Sequence, residues 1–412
     1  MNCVIICDNA NHSGGVSSVV IAQAAGLKTA GYKVFVFAAY GPPSTLLSVS
    51  TEEVFCLYPE ISRRGRLTEI WNKYAASQLS EYLVRFSPVD TIIHVHSISM
   101  GLSPSIATAL RRRGIPYVIT AHDAGWVCPT GYFYNFKTKA YCTYKPFSLA
   151  CLSCNCDKKT YLHKAFKFVK VAALDYLSRI KQGATAIIAP SDLLRDRLVD
   201  RTPQSTPVIT LLNPVNASNN GARSNTGDSF LFVGRIWEEK GISELLEAVG
   251  DDCPLTVVGD GPNKGALERK YPKVAFKGWL SPKEVMAEMR KAIALVLPSI
   301  YLEAFGLVVA EALSQGVPVI VSDRAGAATM VKHGYNGFLV DMGNPDEIRQ
   351  CCESLLDKSM AKTMSRNAYS RYWENPLSEE RYVSELLTIY RSAVPKTIEN
   401  IATPKTGHPN IS

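Results

Sequence analysis

Two glutamates, Glu303 and Glu311, flank Gly306, and residues 307–314 after that glycine are small or apolar apart from Glu311 itself. Such a run reads as a helix of two to three turns that Gly316 closes at its C-cap. A helix opening on glycine leaves the amides of Phe305, Gly306, Leu307 and Val308 without intrahelical partners. With the positive end of the helix dipole, those donors favour a phosphate. A carboxylate beside an anion site is badly placed for phosphate and well placed to accept hydrogen bonds from sugar hydroxyls. Glu311 could instead be a solvated helix residue. As the one charge on its helix, it is better explained by a specific partner.

A second group lies upstream, where residues 234–241 read Gly-Arg-Ile-Trp-Glu-Glu-Lys-Gly. Arg235 and Lys240 bracket this turn directly after an apolar run. Arginine can fork two phosphate oxygens, and lysine supplies a point charge to the neighbouring phosphate. The alternative is a pair of exposed loop charges. Gly14 and Gly15 stand at the first strand-to-helix turn, where a backbone must approach a ligand closely. They do not form G-x-G-x-x-G, and a lone glycine pair is weak evidence. His122 and Asp123 end another apolar run, at the mouth of the sheet that run predicts. A lone histidine is usually structural, but this one sits where such sheets bind ligands. Asp123 could orient or charge its imidazole. No metal is supported there.

Cys128, Cys142, Cys151, Cys154 and Cys156 fall in a stretch, 126–160, rich in Tyr, Phe and Lys. A CxxC beside further thiols reads as a structural zinc site, with Cys128, Cys142, Cys151 and Cys154 as candidate ligands. The spacing matches no known finger. Reduced thiols buried in an inserted loop are the equal alternative.

Alternating strands and helices must position these residues. Strands are expected at 3–7, 33–38, 91–95, 116–120, 184–190 and 208–212, with helices at 16–29, 68–86, 103–113 and 162–181. Residues 217–228 read as a linker, small and polar. The alternation then restarts, with strands at 229–233, 255–258, 274–276, 292–297 and 317–322 and a hairpin-like piece at 334–340. Helices are expected at 242–249, 282–291, 307–314, 346–356 and 378–390. The expected fold is α/β, two Rossmann-like domains facing each other across a cleft. Their bounds are 1–215, carrying the insertion, and 216–375. A helix within 376–394 packs back on the first domain, and 395–412 is a disordered tail.

The E-x7-E spacing around Phe305-Gly306, with the G-R-x-x-x-x-K-G loop at 234–241, resembles the retaining glycosyltransferases of family 4, which have the GT-B fold. The resemblance covers nearly the whole chain and thins at 128–156 and in the tail. It implies transfer of a sugar from a nucleoside-diphosphate sugar, a UDP- or GDP-sugar, to a hydroxyl of a glycan or lipid-linked glycan in polysaccharide biosynthesis. By resemblance, Arg235 and Lys240, with Gly234 in their loop, neutralise the leaving diphosphate in place of a metal. Glu303 takes the donor sugar's hydroxyls and Glu311 the ribose hydroxyls. Phe305, Gly306 and Leu307 offer amides to the sugar and distal phosphate. His122 is the family's histidine beside the donor sugar. Gly14 and Gly15 lie over the donor phosphates or beside the acceptor. The turns at 259–261 and 278–279 hold the base. No cofactor is implied for catalysis, so a zinc would be structural and shape the acceptor pocket. Rival readings are a nucleotide-sugar epimerase, a phosphorylase (no lysine marks a pyridoxal phosphate), or a catalytically silent nucleotide-sugar-binding partner.

Of 412 residues 46% are hydrophobic, enough for two large cores, and no run of eighteen apolar residues exists to cross a membrane. The first strand begins at once, without the basic start of a signal peptide, so a cytoplasmic protein with mostly reduced cysteines is expected. Residues 1–215 carry 23 Lys and Arg against 13 Asp and Glu, while the remainder carry 22 against 24. A basic first half fits an anionic acceptor or peripheral contact with an anionic membrane, at the cytoplasmic face of the inner membrane. No nucleic-acid module is present, so nucleic acid is not an expected partner.

Overall fold

The first apolar run, Cys3–Cys7, is wholly buried, which places it at the centre of a sheet rather than at its edge. The computed structural model describes residues 1–11, 14–58, 66–341 and 343–393. The expected tail at 395–412 lies outside them. Strands β1 (Asn2–Asn9), β2 (Lys33–Tyr40), β3 (Glu53–Tyr58), β4 (Thr91–Val95) and β5 (Tyr117–Thr120) come first. A small antiparallel pair follows, β6 (Tyr134–Asn135) and β7 (Ala140–Tyr141), and then β8 (Ala186–Ala189) and β9 (Val208–Thr210). Excluding β6 and β7, they form one parallel sheet in the order β3-β2-β1-β4-β5-β8-β9. The order reverses at β1, so the crevice beyond the strand ends opens between β1 and β4.

The second sheet contains β10 (Ser229–Val233), β11 (Leu255–Val258), β12 (Ala275–Gly278), β13 (Ala292–Leu297), β14 (Val319–Ser322) and β15 (Gly337–Val340). Its order is β12-β11-β10-β13-β14-β15, again parallel, with its switch between β10 and β13. The loops carrying Arg235 and Glu303 both leave that switch point. The piece expected to be hairpin-like is instead a parallel edge strand: β15 pairs parallel to β14, reached through the turn Gly326–Met330.

Several helices differ from the expected spans. The stretch 68–86 is not one helix. Asn72 caps a new start at Lys73 by accepting from the Ala75 amide at 3.1 Å, so the helices Arg66–Ile70 and Lys73–Tyr82 are separate. The stretch 162–181 is helical over Tyr161–Ala172, widens into a π-turn over Ala173–Ser178 and breaks at Arg179, whose φ is 51°. The helix Glu379–Ala393 lies against Gly15–Thr29 of the first sheet's layer. There Val383, Leu386 and Tyr390 join the core that also holds Val20, Ala24 and Leu27.

Candidate active site

The helix Leu307–Ser314 begins after Gly306, whose φ of 95° suits glycine, and no side chain caps it. The helix Gly15–Thr29 likewise opens after a glycine, Gly14, which has no side chain to cap it. The two starts meet across the cleft: a Cβ on Gly15 would stand 3.1 Å from Leu307 Cδ1. Two helix dipoles therefore present their positive ends to one space, which is suited to a phosphate chain.

Glu303 stands in the loop between β13 and the helix Leu307–Ser314, anchored by its backbone. Its amide donates to the Arg324 carbonyl and its carbonyl accepts from Gly326. Its carboxylate accepts from Ser299 Oγ at 2.5 Å and lies 2.5 Å from Lys240 Nζ. Lys240 is carried there because Gly241 lets the chain pass the Pro298 carbonyl, where any Cβ would collide at 1.9 Å. Burial works against the Lys240 charge, but Glu303 and Tyr301 outweigh it and hold the ammonium above its ordinary range. Arg235 is exposed to the cleft, its guanidinium 5.6 Å from the centre of the Trp237 ring. It has no acidic partner among the described residues. Glu311 is half-buried on the helix and also lacks a hydrogen-bond partner among the described residues, and burial raises its carboxyl to about 6.

A cavity of about 400 Å³ joins the two lobes. His122, Asp123, Trp126, Thr130, Tyr132 and Lys170 line it from the first lobe, and Arg235 and Tyr301 from the second. His122 Nε2 is 2.8 Å from His96 Nδ1, and burial pushes the His122 imidazole down to about 4. Asp123 accepts from the Gly125 amide at 2.7 Å, and the protein around it raises its carboxyl. Thus Lys240 and Glu303 come together as a pair, Gly15 and Leu307 meet, and His122 shares a cavity with Arg235. The Gly234 carbonyl packs under Gly259, bringing the two glycine turns of the second lobe together.

Sequence reasoning passed over Ser299 and Tyr301, although both lie in the loop before the helix, and Lys240 sits 5.4 Å from the Tyr301 ring centre. It passed over His96 as a site residue as well. The signal was its spacing of two from His94 at the end of a strand, which puts both on one face of the sheet.

The insertion bridges the lobes. Leu302 donates to the Tyr132 carbonyl at 3.0 Å, Lys158 pairs with Glu239 at 3.1 Å, and Arg324 lies 4.8 Å from the Tyr141 ring centre. Among the described residues no group of three or more His, Cys, Asp or Glu could hold a metal ion. Cys128, Cys142 and Cys151 surround a small apolar void with Phe133, Tyr134 and Lys164. Buried Lys164 donates to the carbonyls of Cys151 and Cys154, at the C-terminal end of the helix Leu149–Ser153, where a cation is favoured. No helix among the described residues is long and apolar enough to cross a membrane.

Comparison with known proteins gives consistent matches. Residues 217–371 match the family model described as glycosyl transferases group 1, and residues 13–219 match that described as Glycosyltransferase Family 4. An uncharacterised glycosyltransferase of Methanocaldococcus jannaschii is 29% identical over 181 residues, 40% of this chain and 45% of that protein. A GDP-mannose-dependent alpha-mannosyltransferase of Corynebacterium glutamicum is 32% identical over 149 residues, 35% of this chain and 36% of that one. The chain spans about half the length of the curated relatives it matches. Among solved structures, Anabaena HepE in complex with UDP aligns with a TM-score of 0.66 and 16% identity, over 95% of this chain and 100% of that chain. Sucrose-phosphate synthase of Thermosynechococcus elongatus aligns with a TM-score of 0.68 and 19% identity, over 95% and 98%.

Proposed function

The chain belongs to the family 4 glycosyltransferases, those of group 1, and has the GT-B fold, and from that premise we propose that it transfers a sugar, with retention, from a nucleoside-diphosphate sugar to a hydroxyl of a glycan or lipid-linked glycan. The observation that carries this reading is the Lys240–Glu303 pair set beside two helix starts that open on glycine. A diphosphate entering that space offers Lys240 a stronger partner than one carboxylate. Lys240 then turns to the phosphate and frees Glu303 to accept from the donor sugar's hydroxyls. Arg235 is already open to the same space, and Glu311 is free to accept from ribose.

As the sugar–phosphate bond lengthens, negative charge grows on the departing diphosphate. Arg235, Lys240 and the helix starts are fixed positive groups that stabilise it as it forms. The anomeric carbon becomes cation-like, and the acceptor hydroxyl in the cavity enters on the face the diphosphate leaves. The departing phosphate takes the acceptor's proton. No divalent cation has a part in this scheme, because protein cations fill that role.

The solved relative HepE is described with UDP, and the Corynebacterium relative with GDP-mannose, which supports a UDP- or GDP-sugar donor. Similarity to a Staphylococcus aureus capsular polysaccharide glycosyltransferase supports polysaccharide biosynthesis. The basic first lobe exposes Leu149, Leu152, Tyr161, Leu162 and Leu177 beside its lysines, which supports peripheral contact with an anionic membrane at the cytoplasmic face. A thermal-shift panel of UDP-, GDP- and ADP-sugars tests the donor. A ligand at a hundred times its Kd adds about 2.7 kcal/mol of stability. One base class should raise Tm well above the others, and no shift with any donor would count against the reading.

A further inference from the structure

His122 heads a row of three imidazoles. The rings of His94 and His96 are 4.3 Å apart at 18°, and those of His96 and His122 are 5.1 Å apart at 16°. His94 and His96 are wholly buried.

The far end of the row is held by the returning helix Glu379–Ala393. Tyr382 donates to Gln23 Oε1 at 3.0 Å, and Gln23 Nε2 donates to the Tyr390 hydroxyl at 3.2 Å. Gln23 Nε2, which can only donate, is also 3.0 Å from His94 Nδ1, and the Tyr390 hydroxyl is 2.7 Å from the same nitrogen. Nδ1 of His94 accepts, so its proton is on Nε2, donated to Thr120 Oγ1 at 2.7 Å. His94 is a fixed, neutral plate.

One proton lies between His96 Nδ1 and His122 Nε2. The other nitrogen of His96, Nε2, is buried and has no partner among the described residues. If His122 Nε2 carried the shared proton, a neutral His96 would carry its own on that buried Nε2, as an N–H without an acceptor. Orphaned buried N–H groups are rare, and under-satisfied acceptors somewhat less so. With the proton on His96 Nδ1, only a bare nitrogen lone pair is left over.

We infer that His96 is a positioning residue whose Nδ1–H donates to His122 Nε2 and holds His122 as the neutral Nδ1–H tautomer, a hydrogen-bond donor to the ligand in the cavity. His122 Nδ1 has no partner among the described residues, and the ring lines the cavity. So held, His122 cannot take the acceptor's proton, since its one open nitrogen already carries a hydrogen. It donates to an oxygen of the donor or acceptor instead. The tautomer follows from the geometry, and its use in transfer rests on the glycosyltransferase reading.

Long-range proton–nitrogen correlation spectra of the full chain labelled with nitrogen-15 histidine test this near neutral pH, with His122 assigned by the peak lost in His122→Ala. Wild type should show His122 protonated at Nδ1 only. His96→Leu should shift it to Nε2–H or an exchanging mixture, and should lower kcat by up to ~100-fold with donor KM held, the cost of a mispositioned group. His96→Asn, whose amide can stand where Nδ1 stood, should restore both. An Nε2–H pattern in wild type overturns the inference, and that spectrum needs no variant to fold. An unchanged Nδ1–H pattern in His96→Leu overturns it too. Failure to release a nucleoside diphosphate from any donor would sink the glycosyltransferase reading while the spectra still decide the tautomer.

Discussion

Lys240 Nζ lies 2.5 Å from Glu303 Oε1, a pair only 13% and 11% exposed at the mouth of a cleft where two helix starts open on glycine. Each is the other's counter-ion until a ligand supplies a better one. Glu303→Gln leaves Lys240 without that counter-ion and should destabilise the free protein by up to about 3–5 kcal/mol, the range for breaking a buried pair. Urea unfolding reads this directly. Adding a nucleoside diphosphate should recover more stability in Glu303→Gln than in wild type, because the lysine then has only the phosphate to pair with. Equal recovery in the two proteins would mean the pair does not open for the ligand.

Glu311 sets a pH dependence. Its folded carboxyl titrates at about 6, above the ordinary 4.5, because burial disfavours its charge. The folded state holds this proton more tightly than the unfolded chain. The resulting stability is present below 4.5 and is lost as pH rises through about 6. Ribose hydroxyls, in contrast, need the ionised form as their acceptor. Donor affinity should therefore rise with pH through about 6 and level off above it, measured by calorimetric titration across that range. Glu311→Gln should bind more weakly throughout and lose the inflection. An inflection that survives the substitution would belong to another group.

Much of the site could be read from the chain because it sits at strand ends marked by glycine. The bounds of the helix Leu307–Ser314 and of β13 match the sequence reading, since each is a continuous small or apolar run with a breaker beside it. The helix Lys358–Glu374 was passed over. Its buried face is Ala361, Met364, Ser365, Ala368 and Tyr372, too small and too polar to stand out as a stripe. β15 was misread because a short apolar piece after glycines looks alike in a hairpin and in a parallel edge strand. The His96–His122 contact joins residues from neighbouring strands, and the Lys240–Glu303 pair joins two loops, so neither has a local pattern.

Close approach of the lobes gives a steric prediction. A Cβ on Gly15 would stand 3.1 Å from Leu307 Cδ1. Gly15→Val should wedge the two helix starts apart and cost about 1–3 kcal/mol of donor affinity, the usual range for overpacking. Gly15→Ala should cost less, since Leu307 can give slightly. Unchanged donor Kd in Gly15→Val would show that the two starts do not share one ligand.

The cysteine-rich insertion should depend on Lys164 rather than on a metal. Lys164→Leu leaves the carbonyls of Cys151 and Cys154 without their donor and should lower Tm. Dialysis against EDTA should leave the wild-type Tm where it was. A Tm that falls with EDTA, with zinc found in the untreated protein, would restore the thiolate site.

The central claim is that protein cations stabilise a departing diphosphate. Its most direct test follows nucleoside diphosphate released from a panel of UDP-, GDP- and ADP-sugars in the presence of EDTA, for wild type and Lys240→Ala. Wild type should release diphosphate from at least one donor despite the chelator. Lys240→Ala should do so about 10²–10³ times more slowly at saturation, the cost of removing one transition-state stabiliser. Release that stops with EDTA, or that runs equally fast without Lys240, would contradict the account.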